Sequence, residues 1–335
     1  MNQQLPGGTI LLGNAPHLLG GGAVGGKKEA EGPLGDWFDY FCEDGRFDQA
    51  TWEKAESEMQ REALHFALDR AGKQLSDIDV LFSGDLLNQC TASAFAHRAS
   101  GTSYLGLYSA CATFAEGLAL AALLISSGAA NCAASCASSH FCSAERQYRY
   151  PLNYGGQRTP TAQWTVTGAG CTILAANGAG PAVRAVTPGR IVDMGIRDAN
   201  NMGAAMAPAA YDTISRMLRD TNTRPEDYDL IVTGDLGICG KRLLCDLFHR
   251  EEGLDLSEKL MDCGDEIFAI AAQDMHSGGS GAGCSAVVFS RYVLDEMKKG
   301  RWRKVLFAGT GALLSPLSSQ QGESIPSICH AVSIE

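Results

Sequence analysis

Two short stretches, 150 residues apart, constrain this chain more than any other feature. Asp77-Ile78-Asp79 leads into the apolar run Val80-Leu81-Phe82, which ends at Ser83-Gly84-Asp85-Leu86. Pro225-Glu226-Asp227-Tyr228-Asp229 leads into Leu230-Ile231-Val232, which ends at Thr233-Gly234-Asp235-Leu236. Asp79 and Asp229 are 150 positions apart (229 − 79), and so are Gly84 and Gly234, and Asp85 and Asp235. A helical pattern precedes each: Gln49 to Ala71, closed by Gly72, and Met206 to Arg219. Further on, a helix ending at Ser126-Ser127-Gly128 precedes an Ala/Cys-rich strand, Cys132 to Cys136. Another, Ser290 to Lys299, ends at Gly300 before Val305-Leu306-Phe307, a spacing of 172 (300 − 128). Two copies of helix, strand, helix, strand predict internal duplication and an α/β fold. The halves are expected at residues 1–178 and 179–335. Gly20 to Gly26 reads as a flexible glycine run.

With 335 residues the chain buries a large core. A net charge of −11 argues against nucleic acid as a partner. The start, Met1-Asn2-Gln3-Gln4-Leu5-Pro6, has neither the basic nor the apolar region of a signal peptide. The twelve cysteines contain no Cys-x-x-Cys pair, so neither a metal centre nor a disulfide framework is expected. These features predict a reduced chain made in the cytoplasm. The run Leu118 to Ile125 is too short to span a bilayer.

The chemistry gathers at Tyr108-Ser109-Ala110-Cys111-Ala112-Thr113. A buried strand, Tyr104 to Tyr108, gives way to a turn of small residues and then to a helix built largely of Ala and Leu. Cys111 stands at the junction, where a helix start lowers a thiol's pKa, and is the candidate nucleophile. Ser138-Ser139-His140 follows the strand Cys132 to Cys136 and aligns with Thr310-Gly311-Ala312 by the same spacing (138 + 172 = 310). Both segments leave central strands at their carboxyl ends, where open α/β sheets bind ligands. Arg146, Arg149 and Arg158 alternate with Tyr148, Tyr150 and Tyr154, a pattern that suits an aromatic carboxylate. Asp85 and Asp235 read as strand-end turn residues, not calcium ligands, and His330, in the last strand, as a core or edge residue.

A duplicated α/β chain with a cysteine opening a buried Ala/Leu helix resembles the thiolase fold of thiolases and ketoacyl synthases. Several stretches are closer still to the thiolase-fold family of the sporulation VA group in spore-forming bacteria. They are Gly84-Asp85-Leu86-Leu87-Asn88-Gln89, Ala144-Glu145-Arg146-Gln147-Tyr148-Arg149-Tyr150-Pro151, Met202-Gly203-Ala204-Ala205-Met206-Ala207-Pro208, Gly311-Ala312-Leu313-Leu314-Ser315-Pro316 and Glu323-Ser324-Ile325-Pro326. The resemblance implies duplicated βαβαβαββ halves in an α/β/α/β/α arrangement. It also implies a homodimer, for which the small-residue strand Cys132 to Cys136 is the candidate pairing edge. By function it implies handling of dipicolinic acid, a pyridine dicarboxylate loaded into the spore as its calcium chelate. It further implies a peripheral place at the spore inner membrane beside other sporulation VA membrane proteins.

Two departures bear on catalysis. His276, in Asp274-Met275-His276-Ser277-Gly278, matches the thiolase histidine but lacks its flanking Gly and Pro. Phe307 stands where thiolases carry their second cysteine. Two functions follow from these residues. The first is a non-catalytic protein binding dipicolinate in the thiolase-like cleft. The alternative is a ketoacyl-synthase-like acyltransferase using Cys111, His276 and coenzyme A. The basic cluster open to coenzyme A phosphates is Lys298, Lys299, Arg301, Arg303 and Lys304.

Overall fold

The computed structural model describes residues 1–148 and 158–335. Arg149, Tyr150 and Tyr154 of the basic-aromatic stretch lie outside the described residues.

The duplication extends to the order and direction of every core strand. The first repeat runs β1 (His17–Gly26), α1 (Trp52–Ala71), β2 (Val80–Gly84), α2 (Thr91–His97), β3 (Ser103–Leu107), α3 (Thr113–Ser126), β4 (Cys132–Ser139) and, after α4 (Phe141–Tyr148), β5 (Gly168–Ala175). The second runs β6 (Val183–Thr187), α5 (Met202–Thr221), β7 (Leu230–Thr233), α6 (Gly237–Glu252), β8 (Leu260–Asp262), α7, β9 (Val305–Ala312) and β10 (Ser327–Ile334). Helix α7 continues from Ala282–Val287 through a π-helical Val288–Val293 to Leu294–Lys298. The first sheet has the order β1-β5-β4-β2-β3 and the second β6-β10-β9-β7-β8. Even the bulge repeats, between Leu18 and Gly20 on β1 and between Val183 and Ala185 on β6.

The long outer helices start and stop where their chemistry directs. The Thr51 side chain accepts from Lys54 N at the start of α1, and Asn201 caps α5 by accepting from Ala204 N. Both helices span 20 residues and end on a left-handed residue, Gly72 or Asn222. Helix α1 covers the outside of the first sheet, and α5 covers the outside of the second. Helix α3 lies between the sheets, touching β2 and β4 on one side and β9 and β10 on the other. This gives the five layers of the thiolase-like fold. Phe114 of α3, Phe289 of α7 and Phe307 of β9 meet in the middle, with Phe289 and Phe307 centroids 4.6 Å apart. Phe307 is therefore a core residue between the sheets.

Two expectations are corrected. Gly20 to Gly26 is not flexible: it forms most of the buried strand β1. Its glycines are there for space. A Cβ on Gly22 would sit 2.3 Å from Ala63 O of α1, and one on Gly21 would sit 1.8 Å from Ser290 O of α7. Helices press on this strand from both faces, closer than any side chain allows. The strand Cys132 to Cys136 is not an edge either. It lies inside β4, hydrogen-bonded to β2 on one side and β5 on the other. The edge of the first sheet at that side is β3, which pairs only with β2 among the described residues. No helix among the described residues is long and apolar enough to cross a membrane.

Candidate functional site

Strand β3 delivers the chain to a sharp turn at Ser109-Ala110, where Ala110 takes φ +50°, and Cys111 then lies in a single helical turn leading into α3. The turn packs against β9 at Gly311. A Cβ there would meet Ser109 O at 2.6 Å, so glycine is what lets the cysteine turn seat on the second sheet.

Cys111 Sγ lies 3.8 Å from Ser280 Oγ. Ser280 donates to Asp235 Oδ2 at 2.9 Å, and the Gly281 N–H donates to the same oxygen at 3.0 Å. Thr310 donates to Asp235 Oδ1 at 3.1 Å. Asp235 is buried, and burial pushes its carboxyl upward. Behind it, Asp262 accepts the N–H groups of Leu236 and Gly237 and the Thr233 hydroxyl. Burial pushes Asp262 up to about 6. The expected lowering of the Cys111 thiol pKa is overturned. Burial, and next the Asp235 carboxylate, push it well above the ordinary value. A helix start cannot offset the loss of water around the sulfur.

Cys111 opens onto a narrow cavity of about 60 Å³. Its polar wall is formed by Cys111, Ser280, Thr165, Glu145 and Tyr148, and its apolar wall by Leu86, Met202, Ala312 and Leu314. A two-strand ladder brings the polar wall together, pairing Thr165 with Ser280. Thr165 donates to the buried Glu145 at 2.8 Å. The Tyr148 and Gln147 side chains both donate to Leu86 O, at 2.6 and 3.0 Å, tying α4 to the opposite lip.

The structure brings Thr310 and Gly311 to Cys111, as support beneath it. It does not bring His276 there. That ring bonds Thr159 O at 2.7 Å through Nδ1 and Asp274 Oδ1 at 3.1 Å through Nε2, and it does not line the cavity. Ser138 donates to Glu56 at 2.9 Å and accepts from Gln60 at 2.7 Å, deep under α1. Ser139 donates to Val166 O at 2.7 Å and accepts from Gly283 N at 3.1 Å. His140 bonds Gly45 O at 2.9 Å and packs on Trp52. Arg146 pairs with Glu53 at the surface. Arg158 pairs with Asp274 and lies over Trp164. Sequence reasoning missed Ser280, Thr165 and Glu145 and took Asp235 for a turn residue. The available signal was position: Asp235 ends a central strand, and Ser280 opens the helix that mirrors the Cys111 helix.

Comparison with known proteins now decides the family. A model described as stage V sporulation protein AD matches residues 7–335. The chain belongs to the stage V sporulation protein AD family. It is 40% identical over 314 residues to "Stage V sporulation protein AD" of Bacillus subtilis (strain 168), covering 94% of this chain and 92% of that protein. In three dimensions it resembles 3-oxoacyl-[acyl-carrier-protein] synthase III from Aquifex aeolicus VF5, with TM-score 0.58 at 12% identity, covering 96% of this chain and 99% of that one. It also resembles a single-substitution form of Xanthomonas campestris OleA, with TM-score 0.61 at 14% identity over 96% and 99% of the two chains. At such identities these likenesses speak for the thiolase-like fold alone. Within the family, this chain's cysteine turn faces a hydroxyl and a carboxylate.

Proposed function

We propose that this protein is a non-catalytic binder of dipicolinic acid, taken as its calcium chelate into the Cys111 cavity. The reading extends to uptake of the chelate into the developing spore. It also includes a peripheral position at the spore inner membrane beside the membrane proteins of the sporulation VA group. The observation that carries it is the setting of Cys111. The sulfur faces Ser280 and Asp235, its pKa is raised, and His276 is turned to Thr159 and Asp274. A nucleophilic cysteine needs a base or a positive field, and this one faces a carboxylate. What remains is a narrow pocket with apolar walls and hydroxyls, which a flat polar guest would enter only by widening it beyond its present volume of about 60 Å³.

Charge argues for the chelate over the free acid. Asp235 stands behind Ser280 of the wall. A free dianion would lose its hydration beside like charge. The calcium chelate carries no net charge and escapes that penalty.

Titration calorimetry of the whole protein tests this. Dipicolinate with calcium is expected to bind at about micromolar strength, and dipicolinate with chelator far more weakly. Cys111→Ala is expected to leave binding nearly unchanged. An acyl adduct on Cys111 after incubation with acyl-coenzyme A, together with no heat from the chelate, would overturn the reading in favour of an acyltransferase.

A further inference from the structure

The cavity over Cys111 has two lips, and each is fastened at its base. One lip is α4. Its first turn is fixed by Phe141, which stacks on Trp164 with ring centroids 4.2 Å apart, and by Ser143, which donates to the buried Glu56 at 2.7 Å. The other lip is the loop from Asp85 to Cys90. The Asp85 carboxylate fixes it by accepting from Leu87 N and Ser93 N, both at 2.8 Å. The facing ends of the two lips, Tyr148 and Leu86, both line the cavity.

Side chains alone join these ends. The Tyr148 hydroxyl donates to Leu86 O at 2.6 Å, and Gln147 Nε2 donates to the same oxygen at 3.0 Å. The Asn88 N–H donates to Gln147 Oε1 at 3.2 Å. No backbone-to-backbone hydrogen bond links α4 to the loop among the described residues. The Tyr108 hydroxyl also reaches Leu86 O, at 3.4 Å, and lies 3.1 Å from the Tyr148 hydroxyl. Three donors thus crowd a carbonyl with two lone pairs, so a donor lost there has a replacement at hand. The loop itself is strained. Gln89 and Cys90 take φ +59° and +52°, successive left-handed values in residues other than glycine. Such backbone persists where its surroundings hold it. Asn88, Gln89 and Tyr108 are exposed, so the joint lies at the surface of the protein.

We propose that Tyr148 and Gln147 gate the Cys111 cavity: they hold Leu86 closed across it, and release of Leu86 O admits a guest. The volume points the same way. About 60 Å³ is far below the roughly 300 Å³ at which ordinary small-molecule sites begin, so the latched lips leave too little room for a planar guest. The walls around the sulfur do not supply that room. Thr165 and Ser280 are paired in a ladder, and the Cys111 turn is wedged against Gly311. The latch is exchangeable by comparison. It lies at the surface, where water replaces each donor and acceptor as the lips part, so opening leaves no polar group unpaired. Both lips stay anchored through Glu56 and Asp85 while their facing ends separate. The inference rests on the reading that this cavity takes a guest, and it holds for any small guest, the chelate or another.

The test reads access to Cys111 in the full chain with two reagents of one chemistry, methyl and benzyl methanethiosulfonate. Tyr148→Phe keeps the ring and removes the latch hydroxyl, and Gln147 and Tyr108 still serve Leu86 O. Benzyl labelling of Cys111 is expected to quicken about threefold or more, and about tenfold or more when Gln147→Ala is added. The methyl reagent should gain less. A change in the acidity of the thiol would speed both reagents equally, so equal gains, or no gain, would overturn the gate. Cys263 and Cys284, buried and outside the cavity lining, report the fold. Should the double variant label these as well, it has unfolded, and Tyr148→Phe alone decides. Titration with calcium dipicolinate separates the gate from the binding reading. No heat in any form, with the dependence on reagent size intact, would remove the chelate and leave the gate standing.

Discussion

Ser280 donates its proton to Asp235 at 2.9 Å and sits 3.8 Å from Cys111 Sγ, so the thiol can donate to Ser280 in a chain that ends on a carboxylate. The arrangement holds the proton on sulfur. Cys111 is therefore expected to react with iodoacetamide more slowly at pH 7.5 than the partly exposed Cys142, Cys239 and Cys245. Replacing Asp235 with Asn removes the charge and should speed labelling of Cys111 selectively. Peptide mapping by mass spectrometry reads both rates. Faster labelling of Cys111 in the unaltered protein would mean that the carboxylate does not govern the thiol.

The outer edge of β3 gives the second prediction. Leu105 on that strand, Tyr108 just after it and Phe95 on α2 are 51, 51 and 56% exposed. A bare strand edge flanked by large apolar side chains invites a second copy, and two-fold pairing of β3 with itself satisfies both edges. We expect a homodimer, with a light-scattering mass near twice that of the chain at micromolar concentration. Leu105→Lys should shift it to monomer. A monomeric unaltered protein would remove β3 from consideration.

Gly21 supplies the third. Its Cβ would fall 1.8 Å from Ser290 O, backbone against backbone, with no flexible atom to yield. Gly21→Ala is expected to cost about 3 kcal/mol or more, at or above the usual range for overpacking. Gly72→Ala meets nothing within 4 Å and strains only φ +61°, so about 1 kcal/mol is expected. Urea unfolding of the two variants compares them. Equal losses would show that β1 yields where the packing says it cannot.

What could be read in the sequence follows from how local each signal is. Gly84 and Gly234, Asp85 and Asp235, and the caps Gly72 and Gly128 announce themselves within a few residues, so the duplication and the element order were legible. The cavity was not. Cys111 and Ser280 are 169 positions apart, and Ser280 and Asp235 are 45 apart. Only the fold brings them together. Ser138, Ser139 and His140 do end a central strand, yet their side chains are bonded to Glu56, Val166 O and Gly45 O. Strand position alone does not say which polar groups the interior has already claimed. The glycine run misled for a related reason: glycine serves flexibility in water and close approach in a core. Only the two helices packed on β1 decide between them.

Two buried glutamates set the fourth prediction, on pH. Burial, followed by the charge of Asp85, pushes Glu56 up to about 8, and burial pushes Glu29 up to about 7. Unfolded, both titrate near 4.3. Above that value the folded chain binds protons that the unfolded chain has lost. Their stabilising contribution is thus complete in acid and disappears as pH rises through about 7 and 8. His97 and His330, each held down to about 4 by burial, act in the opposite sense, but only below the free histidine value of about 6.5. The lowered carboxyls, Asp44, Asp79 and Asp229 among them, act only in stronger acid. The window from about pH 6.5 to 8 thus belongs to raised carboxyls, Glu56 and Glu29 among them, with a slope of at most about 1.4 kcal/mol per pH unit for each. The raised Asp85 and Asp235 act in the same direction. The melting temperature should fall by several degrees from pH 6.5 to pH 8.5. Glu56→Gln retains polar partners for Ser138 and Ser143 without the charge, and should make that fall markedly shallower. Scanning calorimetry across the range decides it. A melting temperature that rises from pH 6.5 to 8.5 would show that neither glutamate keeps its proton in the fold.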